Sequence, residues 1–241
     1  MKKRTLFVLL IAITLMLVGS FLFLFPIFTH DTVSQPAVYN INSDLQHIEI
    51  DFEKTNLTIC PDDKTYIEIN GYHESEYFIS EKDGKLLLTD QSEKSPLLFK
   101  LSGIGSYFKE NRQVSETKSI VLHLSQQHLQ TTVNIILKNS TLTLAAPLPY
   151  LTLNAENSSV IAKDMTFERF NGKLINCSSR FSFPYPATGF SRNIETHNTV
   201  LSINGDERAN TEKFETDFQK PSLVIEAIGG TCRLEYQQDT P

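Results

Sequence analysis

From Leu45 onward apolar and polar residues alternate with a period of two. Ile48, Ile50 and Phe52 alternate with Glu49 and Asp51, Leu57 and Ile59 flank Thr58, and Ile67 and Ile69 flank Glu68. That period puts the apolar members on one face of a pleated strand and the polar ones on the other. The runs close on Pro61-Asp62-Asp63-Lys64 and Lys82-Asp83-Gly84-Lys85, both rich in turn residues, and Leu86-Leu87-Leu88 resumes the strand pattern. No 12-residue stretch beyond the N-terminal apolar run holds a helical period, which predicts an all-β body.

The N-terminus breaks the alternation. Lys2, Lys3 and Arg4 precede an uncharged run of 24 residues from Thr5 to Phe28. As a helix it spans roughly 36 Å, enough to cross a hydrocarbon core of ~30 Å. The cationic flank predicts a cytoplasmic N-terminus and an exterior body. Val18-Gly19-Ser20 offers small residues for signal cleavage, so a removed signal peptide is the alternative to a signal anchor. The anchor is preferred because cleavage there leaves Phe21-Leu22-Phe23-Leu24-Phe25 as an apolar start. Residues 29–44, polar and with Pro36, read as a spacer.

A weak repeat begins near Ile120. Asn139-Ser140-Thr141-Leu142 is echoed by Asn157-Ser158-Ser159-Val160, then by segments leading to Phe181 and Leu201, with Gly229-Gly230-Thr231-Cys232 as a further copy. Taking Leu142, Val160, Phe181 and Leu201 as the inward residues gives spacings of 18, 21 and 20 positions. Two short strands per repeat suit a single-stack β-solenoid or ladder, whose coils share one core while Ser, Thr and Asn take corners and outer faces. An ordinary β-sandwich also offers strands at such intervals. The recurring Ser/Thr pair before each apolar unit favours the solenoid.

Between these regions, residues 95–111 crowd apolar side chains into a non-alternating stretch. Leu97, Leu98, Phe99, Ile104, Tyr107 and Phe108 are the candidate contacts with a partner or the membrane. A cap folded over the open end of the β body is the competing reading. The layout is therefore a basic flank and anchor (1–28), a spacer (29–44), an N-terminal β region with the apolar loop (45–118) and a repeat region (119–241).

Charge narrows the partners. The chain has 22 Lys and Arg against 28 Asp and Glu. Setting aside the three basic residues of the flank leaves 19 against 28 outside, a net charge of −9. Such a surface does not attract nucleic acid, anionic lipid or polyanions in general. Cys60, Cys177 and Cys232 are too few and too widely spaced for a disulfide framework or a zinc site, and Cys177 and Cys232 read as small core residues, with one bridge as the alternative. The six histidines are scattered, and His123 and His128 lack helical ligand spacing. Gly229-Gly230 has no following Lys-Ser/Thr, and Gly103-Ile104-Gly105-Ser106 lacks the setting of a nucleophile elbow. No cofactor or metal is expected, and no catalytic residues.

The entry strand Ile48-Glu49-Ile50-Asp51, the segment Asn56-Leu57-Thr58-Ile59-Cys60-Pro61, Gly84-Lys85-Leu86-Leu87-Leu88 and Ser119-Ile120-Val121-Leu122-His123-Leu124 resemble the bacterial putative-adhesin family of unknown function. The resemblance spans Leu45 to Tyr236 and implies a membrane-anchored, repetitive β-solenoid-like exterior. The corners depart from the family, with Asn-Ser-Thr and Asn-Ser-Ser where it usually carries Gly. The expected role is a non-catalytic, single-pass protein of the cell membrane whose exterior domain binds or scaffolds a glycan, envelope protein or membrane partner. An enzyme acting on wall or capsule polysaccharide is the alternative, favoured if carboxylates stand on adjacent rungs. An accessory subunit of a membrane sensor or transporter is a further rival.

Overall fold

The structure is a computed structural model that describes residues 36–41, 43–72, 76–90, 117–208, 211–213 and 220–237, together with Met16. The chain divides into two units, Met1–Ser34 and Gln35–Pro241. In the first, Met16 is helical and exposed. The rest of the predicted anchor lies outside the described residues, among which no helix is long and apolar enough to cross a membrane.

The second unit is all-β. Its strands are β1 Ala37–Asn40, β2 His47–Glu53, β3 Asn56–Pro61, β4 Tyr66–Asn70, β5 Tyr77–Lys82, β6 Lys85–Asp90, β7 Ser119–Leu124, β8 Thr132–Lys138, β9 Thr141–Leu144, β10 Tyr150–Glu156, β11 Ser159–Ala162, β12 Arg169–Phe183, β13 Ser191–Ile203, β14 Asp206–Arg208, β15 Thr211–Lys213 and β16 Ser222–Tyr236. All belong to one sheet. β1 lies within the stretch expected to be a spacer and pairs antiparallel with β4.

Parallel rungs, each bent at a corner, make up the body. The first limbs run side by side as β6, β2, β8, β10, the start of β12, the start of β16 and the start of β13. The second limbs run as β7, β3, β9, β11 and the ends of β12, β16 and β13. Inward residues stack in columns across the rungs. One such column is Ile50, Ile135, Leu153, Gly172 and Ile225; another is Ile59, Leu144, Ala162, Phe181 and Leu234. All of these except Gly172 belong to the hydrophobic core. Gly172 has no room for more: an added Cβ would stand 3.0 Å from the Phe170 ring.

The corners explain the Asn-Ser repeat. Lys54, Asn139, Asn157, Asn176 and Asn198 all have φ between 49° and 55°, the left-handed region that Asn tolerates better than most side chains. The next position holds Thr55, Ser140, Ser158, Cys177 and Thr199, all buried. The side chains of Ser140, Ser158, Cys177 and Thr199 satisfy backbone carbonyls at the bend. The N–H of Thr55 donates to Ser140 Oγ and that of Ser140 to Ser158 Oγ, each at 3.1 Å. The Ser140 and Ser158 hydroxyls donate to the carbonyls of Lys138 (2.6 Å) and Glu156 (2.7 Å). Cys177 does likewise, its thiol 3.3 Å from the carbonyls of Ala155 and Ile175.

The pairing does not confirm a regular single-stack solenoid. β8–β9, β10–β11 and β12 climb one rung at a time, but β16 then inserts between β12 and β13, so chain order and rung order part. At the other end β6 and β7 pair alongside β2 and β3, although residues 91–118 separate them in sequence. β4, β1 and β5 add antiparallel edges there. The repeat frame also shifts. Val160 stands opposite Ser179, and Phe181 opposite Ala162, so Phe181 lies one layer deeper than expected. Asn176 and Asn198 occupy the left-handed corner positions of β12 and β13.

Candidate functional site

The six candidate contact residues, Leu97, Leu98, Phe99, Ile104, Tyr107 and Phe108, lie outside the described residues. The stretch that carries them leaves β6 and returns at β7, which pair alongside β2 and β3.

The second limbs present a flat polar face. Pleating turns Ser119, Asn56, Thr141, Ser159, Ser178 and Thr231 outward on neighbouring parallel strands in one register row. At ~4.8 Å per strand this hydroxyl and amide row is about 24 Å long. It ends at Val200 on β13, which is 51% exposed. The Thr231 hydroxyl donates to Ser178 Oγ at 3.4 Å, so the row is linked where β16 meets β12.

The next row on the same face carries charge. Arg180 on β12 stands in register with Arg233 on β16, and Ser202 follows on β13. Arg180 reaches Glu235 with one Nη2, at 2.9 and 3.0 Å from its two carboxylate oxygens. Arg233 makes no ion pair among the described residues.

The first limbs present a mixed face. Glu226 and Glu195 are in register on β16 and β13, so carboxylates do occur on adjacent rungs. Each has a cationic or titratable neighbour: Lys173 Nζ lies 3.3 Å from Glu226, and His197 Nε2 3.4 Å from Glu195. Tyr150 donates its hydroxyl to Glu168 on the same side of the molecule.

The most chemically varied group sits at the far end of β3. His123 stacks on Tyr66, ring centroids 4.0 Å apart, and its Nδ1 is 2.9 Å from Asp62 Oδ2 and 3.5 Å from Cys60 Sγ. Cys and Asp thus address the same ring nitrogen, while the opposite one, Nε2, faces Glu68 Oε1 at 4.0 Å, too far for the hydrogen bond that would orient the ring in a nucleophile relay. Burial, with the charges of Asp62 and Glu68, raises the Cys60 pKa and so disfavours the thiolate. The Asp63 N–H, with His123 and Tyr66, holds Asp62 below the usual carboxylate range. No group of three or more His, Cys, Asp or Glu among the described residues is arranged to hold a metal ion.

Cys177 and Cys232 are buried and all three cysteines are free. Burial pushes the Cys232 pKa up to about 11. His128 is buried, with Nδ1 2.6 Å from Thr65 Oγ1, in a small hydroxyl cluster under the β7–β8 turn.

The polar row was half legible in the repeated Ser/Thr of the sequence. The arginine pair was not, because Arg180 and Arg233 meet only through a rung inserted out of chain order.

The chain matches no protein-family model and no curated protein. Solved structures do match it. A putative cell adhesion protein from Clostridium sporogenes ATCC 15579 is 12% identical, with a TM-score of 0.57 over 84% of this chain and 99% of its own. A putative adhesin from Bacteroides fragilis NCTC 9343 is 11% identical, with a TM-score of 0.39 over 84% and 96% of the two chains. A putative lipid binding protein from Parabacteroides distasonis ATCC 8503 is 12% identical, with a TM-score of 0.35 over 85% and 98%. The first likeness is one of fold alone.

Proposed function

We propose that this is a non-catalytic protein of the cell envelope, held in the membrane by residues 5–28, whose exterior β body binds or scaffolds an envelope component through the polar face of its second limbs. The row Asn56, Thr141, Ser159, Ser178 and Thr231 carries the reading. Donors and acceptors repeat across it at ~4.8 Å on a rigid, hydrogen-bonded sheet. A linear hydroxyl-rich polymer laid across the strands repeats on a comparable scale and can meet several of them at once. Preorganised side chains lose little freedom on binding, which favours many weak contacts in parallel. The adhesion name of the C. sporogenes protein is in keeping with such a role.

The test is retention of purified wall polysaccharide by the full chain, compared with a Ser159→Leu/Ser178→Leu variant. Retention by the native chain that falls in the variant supports the reading. Equal retention by both, or none, removes the polar face from consideration. Crosslinking in intact cells then separates a glycan from a protein: a reproducible membrane-protein partner would make the chain an accessory subunit.

A carbohydrate-acting enzyme is the second reading, and Glu195 and Glu226 on adjacent rungs are the observation in its favour. Reducing ends released by the native chain and lost in Glu226→Gln would establish it.

A further inference from the structure

Opposite charges stand in register on neighbouring strands at Glu53 and Lys138 and at Glu156 and Lys138. Lys173 stands directly beside Glu226 on β12 and β16. Where two like charges do stand together, as Glu226 and Glu195 do, each has its own neighbour in Lys173 or His197. Lys82 and Lys85 also stand in register, at the β5–β6 hairpin, with Lys85 beside Glu49; Arg180 and Arg233 are the like-charged pair on the polar face. Two guanidinium groups face outward in register, and among the described residues Glu235 is their one paired carboxylate. Like charges opposite one another on adjacent strands destabilise a sheet, so this arrangement does nothing for the fold.

Hydroxyls surround the pair. Ser178 and Thr231 flank it in the neighbouring row, linked to each other at 3.4 Å, and Ser202 continues its own row. Glu207, paired with Ser202 on β14, lies two strands from Arg233. Arg180 already holds a carboxylate, its Nη2 alone meeting both oxygens of Glu235. Arg233 offers its planar fork to an external anion.

We propose that Arg180 and Arg233 form an anion-recognising subsite on the polar face, taking a carboxylate or phosphate group borne by a hydroxyl-rich polymer. The inference rests on the reading of that face as a binding surface and adds the substrate class: an acidic polymer rather than a neutral one. The chain's net charge of −6 repels polyanions at a distance. Recognition is therefore by short-range, charge-assisted hydrogen bonds around one anionic group, with the row of Ser, Thr and Asn holding the neutral remainder. Arg233 is the principal contact, and Arg180 joins when Glu235 yields to the ligand.

The experiment titrates the full chain with polygalacturonate, with a poly(glycerol phosphate) and with neutral dextran, and repeats each with Arg233→Gln and Arg180→Gln. Both positions are exposed, and circular dichroism verifies that the variants fold. The expected result is binding of at least one polyanion about tenfold tighter than dextran, weakened about tenfold by Arg233→Gln and reduced by added salt. Preference for the uronate or for the phosphate polymer identifies which anion the fork takes. Dextran bound as tightly as either polyanion, with Arg233→Gln unchanged, overturns the subsite while leaving the polar-face reading intact. No binding of any of the three overturns both.

Discussion

Cys177 shows how a single position reports the rule of the fold. It takes the place that Ser140 and Ser158 hold in the preceding rungs, and its thiol points to the same kind of carbonyl. Cys177→Ser is therefore expected to change stability by less than about 1 kcal/mol in thermal unfolding, because a hydroxyl makes the same bonds. Cys177→Val, which keeps the volume and removes the donor, should cost more. The three thiols also separate by access. At pH 8, iodoacetamide should label Cys60 alone in the folded chain, with Cys177 and Cys232 reacting only after denaturation, as mass spectrometry can read. Burial opposes Cys232 twice, by shielding it and by holding its pKa near 11. Asp62 acts in the opposite direction. Its folded pKa lies below the ordinary carboxylate value, so its contribution to stability is present at neutral pH and is lost as pH falls through that lower value. Asp62→Asn should flatten the acid limb of a stability–pH curve without altering the alkaline limb.

At the scale of the rung, the corner decides how much the sequence could tell. Alternation predicted the strands well: Ile48, Ile50, Phe52, Leu57 and Ile59 are all inside, as their period requires. The corner then defeats the count. A left-handed residue between two limbs turns the chain without consuming a normal pleat, so parity read across it slips. Parity counted back from the inward Cys177 puts Ile175 inside, yet Leu174 is the buried residue and Ile175 is only partly covered. Phe181 falls beside Val160 in the sequence count because Val160's layer partner is Ser179, a buried polar residue that an apolar count passes over; Phe181 pairs with Ala162. The corner residues make their own prediction. Asn157 has φ of 49° and accepts a side-chain bond from Asn176 at 3.3 Å. Asn157→Gly should be nearly neutral, since glycine adopts that φ without strain. Asn157→Val should cost about 1–2 kcal/mol, because a β-branched side chain resists the left-handed region. Equal losses for both would mean that the Asn ladder, not the backbone angle, holds the corner.

For the whole molecule, the order of the rungs is the fact no local pattern could supply. The sequence carries its Asn corners at 139, 157, 176 and 198, as though β13 should stack directly on β12. Instead the Gly229-Gly230 rung stands between them. Its bend differs, with φ of 71° and 85° at successive residues. It is also tighter, because a Cβ on Gly230 would lie 2.1 Å from the Cys177 carbonyl oxygen and one on Gly229 2.5 Å from Asn176 Oδ1. Only glycine fits, and the inserted rung depends on it. Gly230→Val should therefore drive β16 from its slot. The register of β13 already suits β12, since Asn171 and Asn193 both pair with Val224. With β16 in place, these two asparagines lie two strands apart, about 9.6 Å, beyond the ~7 Å that a disulfide spans. With β16 displaced and β13 closed on β12, they become neighbours. Asn171→Cys/Asn193→Cys in the otherwise native chain should stay reduced under mild oxidation. The same pair with Gly230→Val should cross-link, with a lowered melting temperature. A lowered melting temperature without the cross-link would show that β13 depends on β16 for its place, and that the final rungs assemble as one unit rather than in sequence.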